Sequence, residues 1–257
     1  MAIPGLESLL GPGDPGPVQC LNPLGTAPFI LTGDHAGAAI PARLGSLGLG
    51  DDALSRHIAF DIGVAELGCA LSRRLDAIFL SQAYSRLVVD CNRDPSSHEA
   101  VPETSDGTPV PGNQSLSSSE RALRISEIHE PYHARLANEV ARRWRPGRRI
   151  VLVALHSFTP VLGEFERPWD VGILHAGGNE SFSRRLLGAF AREPGLCVGD
   201  NQPYHMDRTD YSVPRHAFGR TLDYAEIEIR QDHLADKAGQ RHWAELLCMA
   251  FEEAWRQ

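Results

Sequence analysis

The chain has 257 residues, 42% hydrophobic and 23% charged, the composition of an ordinary globular protein with room for a sizeable core. Its formal net charge of −8 argues against nucleic acid or an anionic membrane as the main partner. No stretch approaches the roughly 18 apolar residues of a membrane helix, and the N-terminus lacks the positive region and apolar run of a signal peptide.

Taken in chain order, residues 1–27 are rich in Pro and Gly and read as an irregular arm. Phe29 to Thr32 is a short buried strand that runs into Gly33-Asp34-His35-Ala36-Gly37. From about Asp51 to Arg74 the apolar spacing of Ile58, Ile62, Ala65 and Cys69 predicts a helix. Ala77 to Leu80 and Leu87 to Val89 are apolar runs of strand length. Residues 94–119 form a long polar loop, a candidate lid. Leu123 to Trp144 follows a helical pattern that Pro131 should kink or split. Ile150 to Leu155 is the strongest strand, delivering His156 and Ser157 to its carboxyl end. Val171 to Leu174 is a further strand, Phe182 to Phe190 a helix, and Leu196 to Val198 a short strand. Ala225 to Arg230 alternates, with Glu226, Glu228 and Arg230 on one side, and Lys237 to Trp255 closes the chain as a helix. Strands alternating with helices predict a single α/β domain over 1–257: a mixed, largely parallel sheet sandwiched by helices.

Ligands of open α/β sheets bind at the carboxyl ends of strands, and here two buried strands each end in a histidine. A catalytic zinc takes about three ligands from His, Asp or Glu and keeps one position open for water. A lone histidine is usually a surface or capped residue; His35 and His156 placed after separate strands are a stronger signal for a metal. His57 and Asp61, four apart on the expected helix, share a face and either can be the third ligand. His129 and His133 flank Pro131, where freed carbonyls can use donors. Glu226 and Glu228 are either a solvated strand face with a cross-strand salt bridge or a general base beside a metal-bound water. Arg86, Asn92 and Arg93 bracket Leu87 to Val89. They form either an anion clamp or structural pairs with Asp90 and Asp94. Ser157 lacks the GxSxG elbow of a serine hydrolase. The five cysteines form no CxxC and point to reduced thiols in the cytoplasm.

Together these blocks resemble the N-formylglutamate amidohydrolase family, in its predicted-amidohydrolase branch. The residues that carry the resemblance are Asp34-His35-Ala36-Gly37, His57-Ile58 with Asp61, and Tyr84-Ser85-Arg86 through Asn92-Arg93. Pro131-Tyr132-His133, Leu155-His156-Ser157-Phe158-Thr159-Pro160 and Arg167-Pro168-Trp169 follow. Gly199 to Tyr204, Arg215-His216 and Glu226 to Asp232 complete the set. The family is related to zinc carboxypeptidases and aspartoacylase-like deacylases, so the resemblance implies a phosphorylase/hydrolase-like fold. It also implies one Zn2+ and hydrolysis of an N-acyl amino acid bearing a carboxylate, such as N-formyl-L-glutamate. His35 and His156 resemble the zinc histidines and Glu228 the general base. Arg86, Asn92, Arg93 and His216 correspond to substrate contacts. The carboxypeptidase pattern has a zinc-binding glutamate three residues after the first histidine, where this chain has Ala38. Asp61 or His57 is the substitute, with Asp34 a weaker one. That gap also supports a rival, a non-catalytic small-molecule-binding protein that kept the fold and lost the metal.

Overall fold

The computed structural model describes residues 8–257; the first seven positions of the expected N-terminal arm lie outside the described residues. The strands are β1 (Val18–Leu21), β2 (Phe29–Gly33), β3 (Ile78–Gln82), β4 (Thr104–Ser105), β5 (Thr108–Pro109), β6 (Val151–Phe158), β7 (Val161–Leu162), β8 (Phe165–Glu166), β9 (Val171–Leu174), β10 (Val198–Asp200) and β11 (Asp223–Arg230). The helices are α1 (Asp51–Leu54), α2 (Val64–Leu75), α3 (Ser118–Arg124), α4 (Glu130–Arg143), α5 (Ser181–Phe190), α6 (Ser212–Ala217) and α7 (Lys237–Arg256).

Seven strands make one sheet in the order β1-β3-β2-β6-β11-β9-β10, and β4–β5 and β7–β8 are separate small hairpins. The four central strands β3, β2, β6 and β11 are parallel. Strand β1 is antiparallel to β3, and β9 antiparallel to β11. The expected mixed, largely parallel sheet with helices on both faces is therefore present.

Side-chain alternation divides the core. Leu31, Val153, Leu155, Ile173, Ala225 and Ile227 face α2, α5 and α7. Ile30, Leu80, Leu152, Ala154, Leu174 and Tyr224 point the other way, against Leu136 and Val140 of α4 and Val213 and Ala217 of α6. All eight residues of β6 are buried, as expected for a parallel strand covered on both sides. The second face is apolar only part-way along. Beyond Ala154 on β6 comes His156, and beyond Tyr224 on β11 come Glu226 and Glu228. The period of two thus carries polar groups onto the same face at the carboxyl ends of the strands.

Several local expectations give way. Val18–Leu21 is an edge strand inside the supposed irregular arm, held by backbone pairing to β3 and not by any alternation of its own. The helix expected over Asp51 to Arg74 is two pieces. Gly63, at φ 80°, begins α2, and this left-handed conformation separates it from the turns before. Leu87 to Val89 is a fully buried turn, with Val88 N–H donating to the Ser85 carbonyl at 2.9 Å. Its apolar side chains fill a third cluster with Tyr84, Val110 and Ile128 rather than joining a sheet.

Residues 94–119 are ordered by long-range contacts. The buried Arg124 donates to the Val88 carbonyl at 3.0 Å and to Asn113 Oδ1 at 2.6 Å. Asn113 donates in turn to the carbonyls of Leu87 and Pro102 at 2.8 and 2.7 Å. At Pro131 the helical path does not break. A π-turn over Ile125–His129, with Glu130 N–H reaching the Ile125 carbonyl, accommodates the proline that follows. Among the described residues no helix is long and apolar enough to cross a membrane.

Candidate active site

A cavity of about 340 Å³ opens at the carboxyl ends of β2, β6 and β11. It is lined by His35, Asp61, Arg86, Asn92, Arg93, His156, Ser157, Leu174, Glu226 and Glu228, and by Tyr204, His205, Asp207, Thr209 and Asp210 of the loop after β10. No residue of 94–119 lines it, so the segment expected as a lid is not the cover; the loop after β10 is.

Three side chains converge on the floor. One ring nitrogen each of His35 and His156 and a carboxylate oxygen of Asp61 all lie within 4.8 Å of one another, and all three residues are buried. Asp61 Oδ2 is 2.9 Å from His156 Nδ1 and 3.6 Å from His35 Nδ1. The Asp61 turn is positioned by three bonds. Its N–H donates to the His35 carbonyl at 2.8 Å. Ser157 N–H reaches Asp61 Oδ2 at 3.3 Å, and Ser157 Oγ donates to the Ile62 carbonyl at 2.9 Å. Burial alone would raise the Asp61 pKa, but the charges and hydrogen bonds of His35 and His156 outweigh it and hold the carboxyl well below its ordinary value.

Asp90 supports this group from behind. Its Oδ1 is 2.7 Å from His35 Nε2, and its Oδ2 takes Arg86 Nη2 at 2.7 Å and Nε at 3.2 Å. Burial opposes ionisation of Asp90, yet Arg86 and then His35 hold its pKa well below normal. An ionised Asp90 accepts the proton of His35 Nε2, which fixes the tautomer and leaves the Nδ1 lone pair toward Asp61. That Nδ1 is buried and has no hydrogen-bond partner. A carboxylate–histidine pair of this kind, ending in an orphaned buried imidazole nitrogen beside a carboxylate and a second histidine, suits a divalent metal such as zinc.

Glu228 stands opposite His156 across the β6–β11 pair. Burial pushes its carboxyl up to about 7; His156 opposes the shift and Asp61 adds to it. Glu226 lies opposite Ala154, deeper along the same face. Neither glutamate is on a solvated strand face, and Arg230 turns away to Asp232 and Asp170.

The structure separates some expected site residues from the group. His57 is not on a helix with Asp61; its Nε2 is 3.4 Å from Asp106 Oδ2, outside the cavity lining. Asp34 is buried beneath, accepting a hydrogen bond from the Tyr132 hydroxyl. His216 does not line the cavity; it packs on His133 with Nε2 3.0 Å from His133 Nδ1. Burial pushes its pKa down to about 4. Arg86 reaches the cavity but its guanidinium is committed to Asp90 and lies 3.6 Å from Asp61, so it is a positioning residue and not a free anion clamp. Asn92 lines the cavity while its Oδ1 accepts from Tyr211 N–H and Ser212 N–H at 3.0 and 2.9 Å, tying the covering loop to the site.

The family model for N-formylglutamate amidohydrolase matches residues 27–235. The chain belongs to the N-formylglutamate amidohydrolase family. Its structure is similar to that of gene product Atu2144 from Agrobacterium tumefaciens, with a TM-score of 0.92 and 34% identity over 96% of this chain and 98% of that one. It shares the fold of an N-formylglutamate amidohydrolase from Ralstonia eutropha JMP134, with a TM-score of 0.67 and 20% identity over 94% of this chain and 98% of that one. No curated protein matches. Membership of the family supports amidohydrolase activity for the chain.

Sequence reasoning gave no site role to Asp90 or to residues 205–210 of the covering loop, and it weighed Glu226 only together with Glu228. Asp90 was legible only as a partner for Arg86, because its bond to His35 spans 55 positions. The loop after β10 carries no apolar period. It is brought to the site by packing against β9, where Gly172 leaves room for the Gln202 carbonyl.

Proposed function

We propose that this family member is a metal-dependent amidohydrolase that cleaves the amide bond of an N-acyl amino acid, N-formyl amino acids first among them. The observation that carries this is the convergence of His35, Asp61 and His156, with one ligand atom of each within 4.8 Å of the others, next to Glu228. Those three residues would hold one zinc ion, with Asp61 in place of the acidic ligand absent at Ala38. Bound there, zinc supplies a Lewis acid and brings the pKa of a bound water to ~7.

The chain's own residues supply the rest. Glu228, raised to about 7 by burial, is matched to accept a proton from water near neutrality and return it to the leaving nitrogen. Asp90 and Arg86 hold His35 in the tautomer that presents Nδ1. Arg93, on the cavity wall, is the group to meet the substrate's α-carboxylate. Asn92 keeps Arg93 and the covering loop in register through Tyr211 and Ser212. Five free cysteines support a cytoplasmic enzyme.

The test is hydrolysis of N-formyl, N-acetyl and N-succinyl amino acids, N-formyl-L-glutamate included, by zinc-supplemented protein. Turnover of at least one, lost in Glu228→Gln, is the expected result. An inert wild-type protein across the panel contradicts the reading.

A further inference from the structure

Neither cationic side chain of the cavity is left for a second, side-chain carboxylate: Arg86 is committed to Asp90, and Arg93 is the group assigned to the substrate's α-carboxylate. Arg86 is bonded to Asp90 and faces Asp61. Arg93 lies 3.9 Å from Asp210 and 3.6 Å from Glu99, and donates to the carbonyls of Asn92 and Thr209 at 3.0 and 3.3 Å. The unmatched carboxylate groups are Glu226 and Glu228, each with Oε2 buried and without a hydrogen-bond partner among the described residues. Proton transfer accounts for Glu228. Nothing in the reaction above uses Glu226.

Glu226 is 2% exposed and lines the cavity between Ala154 of β6 and Leu174 of β9. A carboxyl taken out of water without a donor is costly. Burial pushes its pKa well up; His156 opposes this, and Asp210 and Glu228 add to it. Asp207 and Asp210 of the covering loop also line the cavity. A substrate glutamate side chain would add another carboxylate among these. A substrate ammonium or guanidinium would instead supply the donor Glu226 lacks and offset the surrounding negative charge.

We propose that Glu226 is a specificity residue that binds a positively charged nitrogen on the substrate, so that the preferred substrates are N-acyl amino acids with an ammonium or guanidinium side chain rather than N-formyl-L-glutamate. This rests on the N-acyl amino acid reading above and narrows it to a substrate class.

The experiment compares kcat/KM for N-formyl-L-arginine, N-formyl-L-lysine, N-formyl-L-leucine and N-formyl-L-glutamate in wild type and Glu226→Gln. A buried charge-assisted contact corresponds to about ten- to a hundred-fold in affinity. Wild type should therefore favour the basic substrates over leucine by at least about tenfold, chiefly through KM, and Glu226→Gln should reduce that ratio by a similar factor. A preference for glutamate, or a ratio untouched by Glu226→Gln, overturns the proposal. Calorimetric titration with free L-arginine and L-glutamate reads the same contact without turnover. Arginine binding that weakens at least about tenfold in Glu226→Gln supports it. Absent arginine binding, or binding the variant leaves unchanged, overturns it. A protein that hydrolyses no N-acyl amino acid yet binds arginine through Glu226 would refute the proposed reaction and leave this contact standing.

Discussion

Replacing Asp90 with Asn tests how the site is held, because Asp90 is the joint between the arginine and the first histidine. Its two oxygens serve His35 Nε2 at 2.7 Å, Asn92 N–H at 2.8 Å, and Arg86 Nη2 and Nε at 2.7 and 3.2 Å. Asparagine keeps one oxygen. If that oxygen stays with His35 and Asn92, the amide NH₂ meets the Arg86 guanidinium, donor against donor. Two charge-assisted hydrogen bonds disappear, each worth about 1.5–3 kcal/mol. Partial exposure of Arg86 and compensation by Asp61 lower the net stability loss to about 2–4 kcal/mol. The second consequence is functional. With a neutral amide oxygen in place of the carboxylate, the bond to His35 Nε2 is no longer charge-assisted, so the tautomer that presents Nδ1 is held less firmly and the imidazole is a weaker ligand; metal affinity should fall about 10- to 100-fold. Competition against a fluorescent zinc chelator measures the affinity, and urea denaturation with near-UV circular dichroism reports the fold. A folded Asp90→Asn protein that binds zinc within about twofold of wild type would refute the reasoning that Asp90 sets the His35 tautomer.

Glu228→Gln keeps the shape of the base and removes its proton acceptor; kcat should drop about 10²- to 10⁴-fold with little change in KM, and a kcat within about threefold of wild type would exclude Glu228 as the base. Gly172→Ala would place a Cβ 1.7 Å from the Gln202 carbonyl oxygen, so the loop carrying Tyr204 and Asp210 must move. Crystallography should show that displacement, with kcat/KM down at least about tenfold, whereas an unmoved loop would show that the close approach does not set its position. Glu139, buried among Arg135, Arg142 and Arg143 at 3.0, 2.6 and 2.5 Å, opposes its burial through those bonds and titrates at about 2 instead of 4.5. A depressed carboxyl pKa stabilises the fold above the unfolded-state value and loses that contribution as pH falls toward the folded one. Wild type should therefore exceed Glu139→Gln by about 1–3 kcal/mol at neutral pH, a gap that narrows between pH 4.5 and 2. A gap independent of pH in that window would assign the effect to packing.

The parts of the site that ride on regular strands were legible before the structure. Buried runs ending in His35 and His156, and the alternation through Glu228, are local patterns, and the sheet places them together without further information. Asp61 was legible as a candidate but for the wrong reason. It shares no helical face with His57; it is delivered by a turn ahead of Gly63, and the turn's bonds to His35 and Ser157 decide which of the two candidates enters the site. Arg86 and Arg93 were recognisable as a charge cluster. Which reading holds, anion clamp or pairing with Asp90, was not, because a guanidinium's choice between substrate and Asp90 depends on distances that spacing does not encode. Residues 94–119 looked structureless since what orders them is Arg124 and Asn113, contacts made across the fold.

Metal content tests the central claim most directly. Protein purified without chelators, and then equilibrated with zinc and desalted, should retain about one zinc per chain by elemental analysis. His156→Ala and Asp61→Ala, folded by circular dichroism, should retain almost none and should not hydrolyse N-formyl amino acids. Full zinc occupancy in either variant, or a wild-type protein that hydrolyses its substrate with no metal bound, would contradict the account.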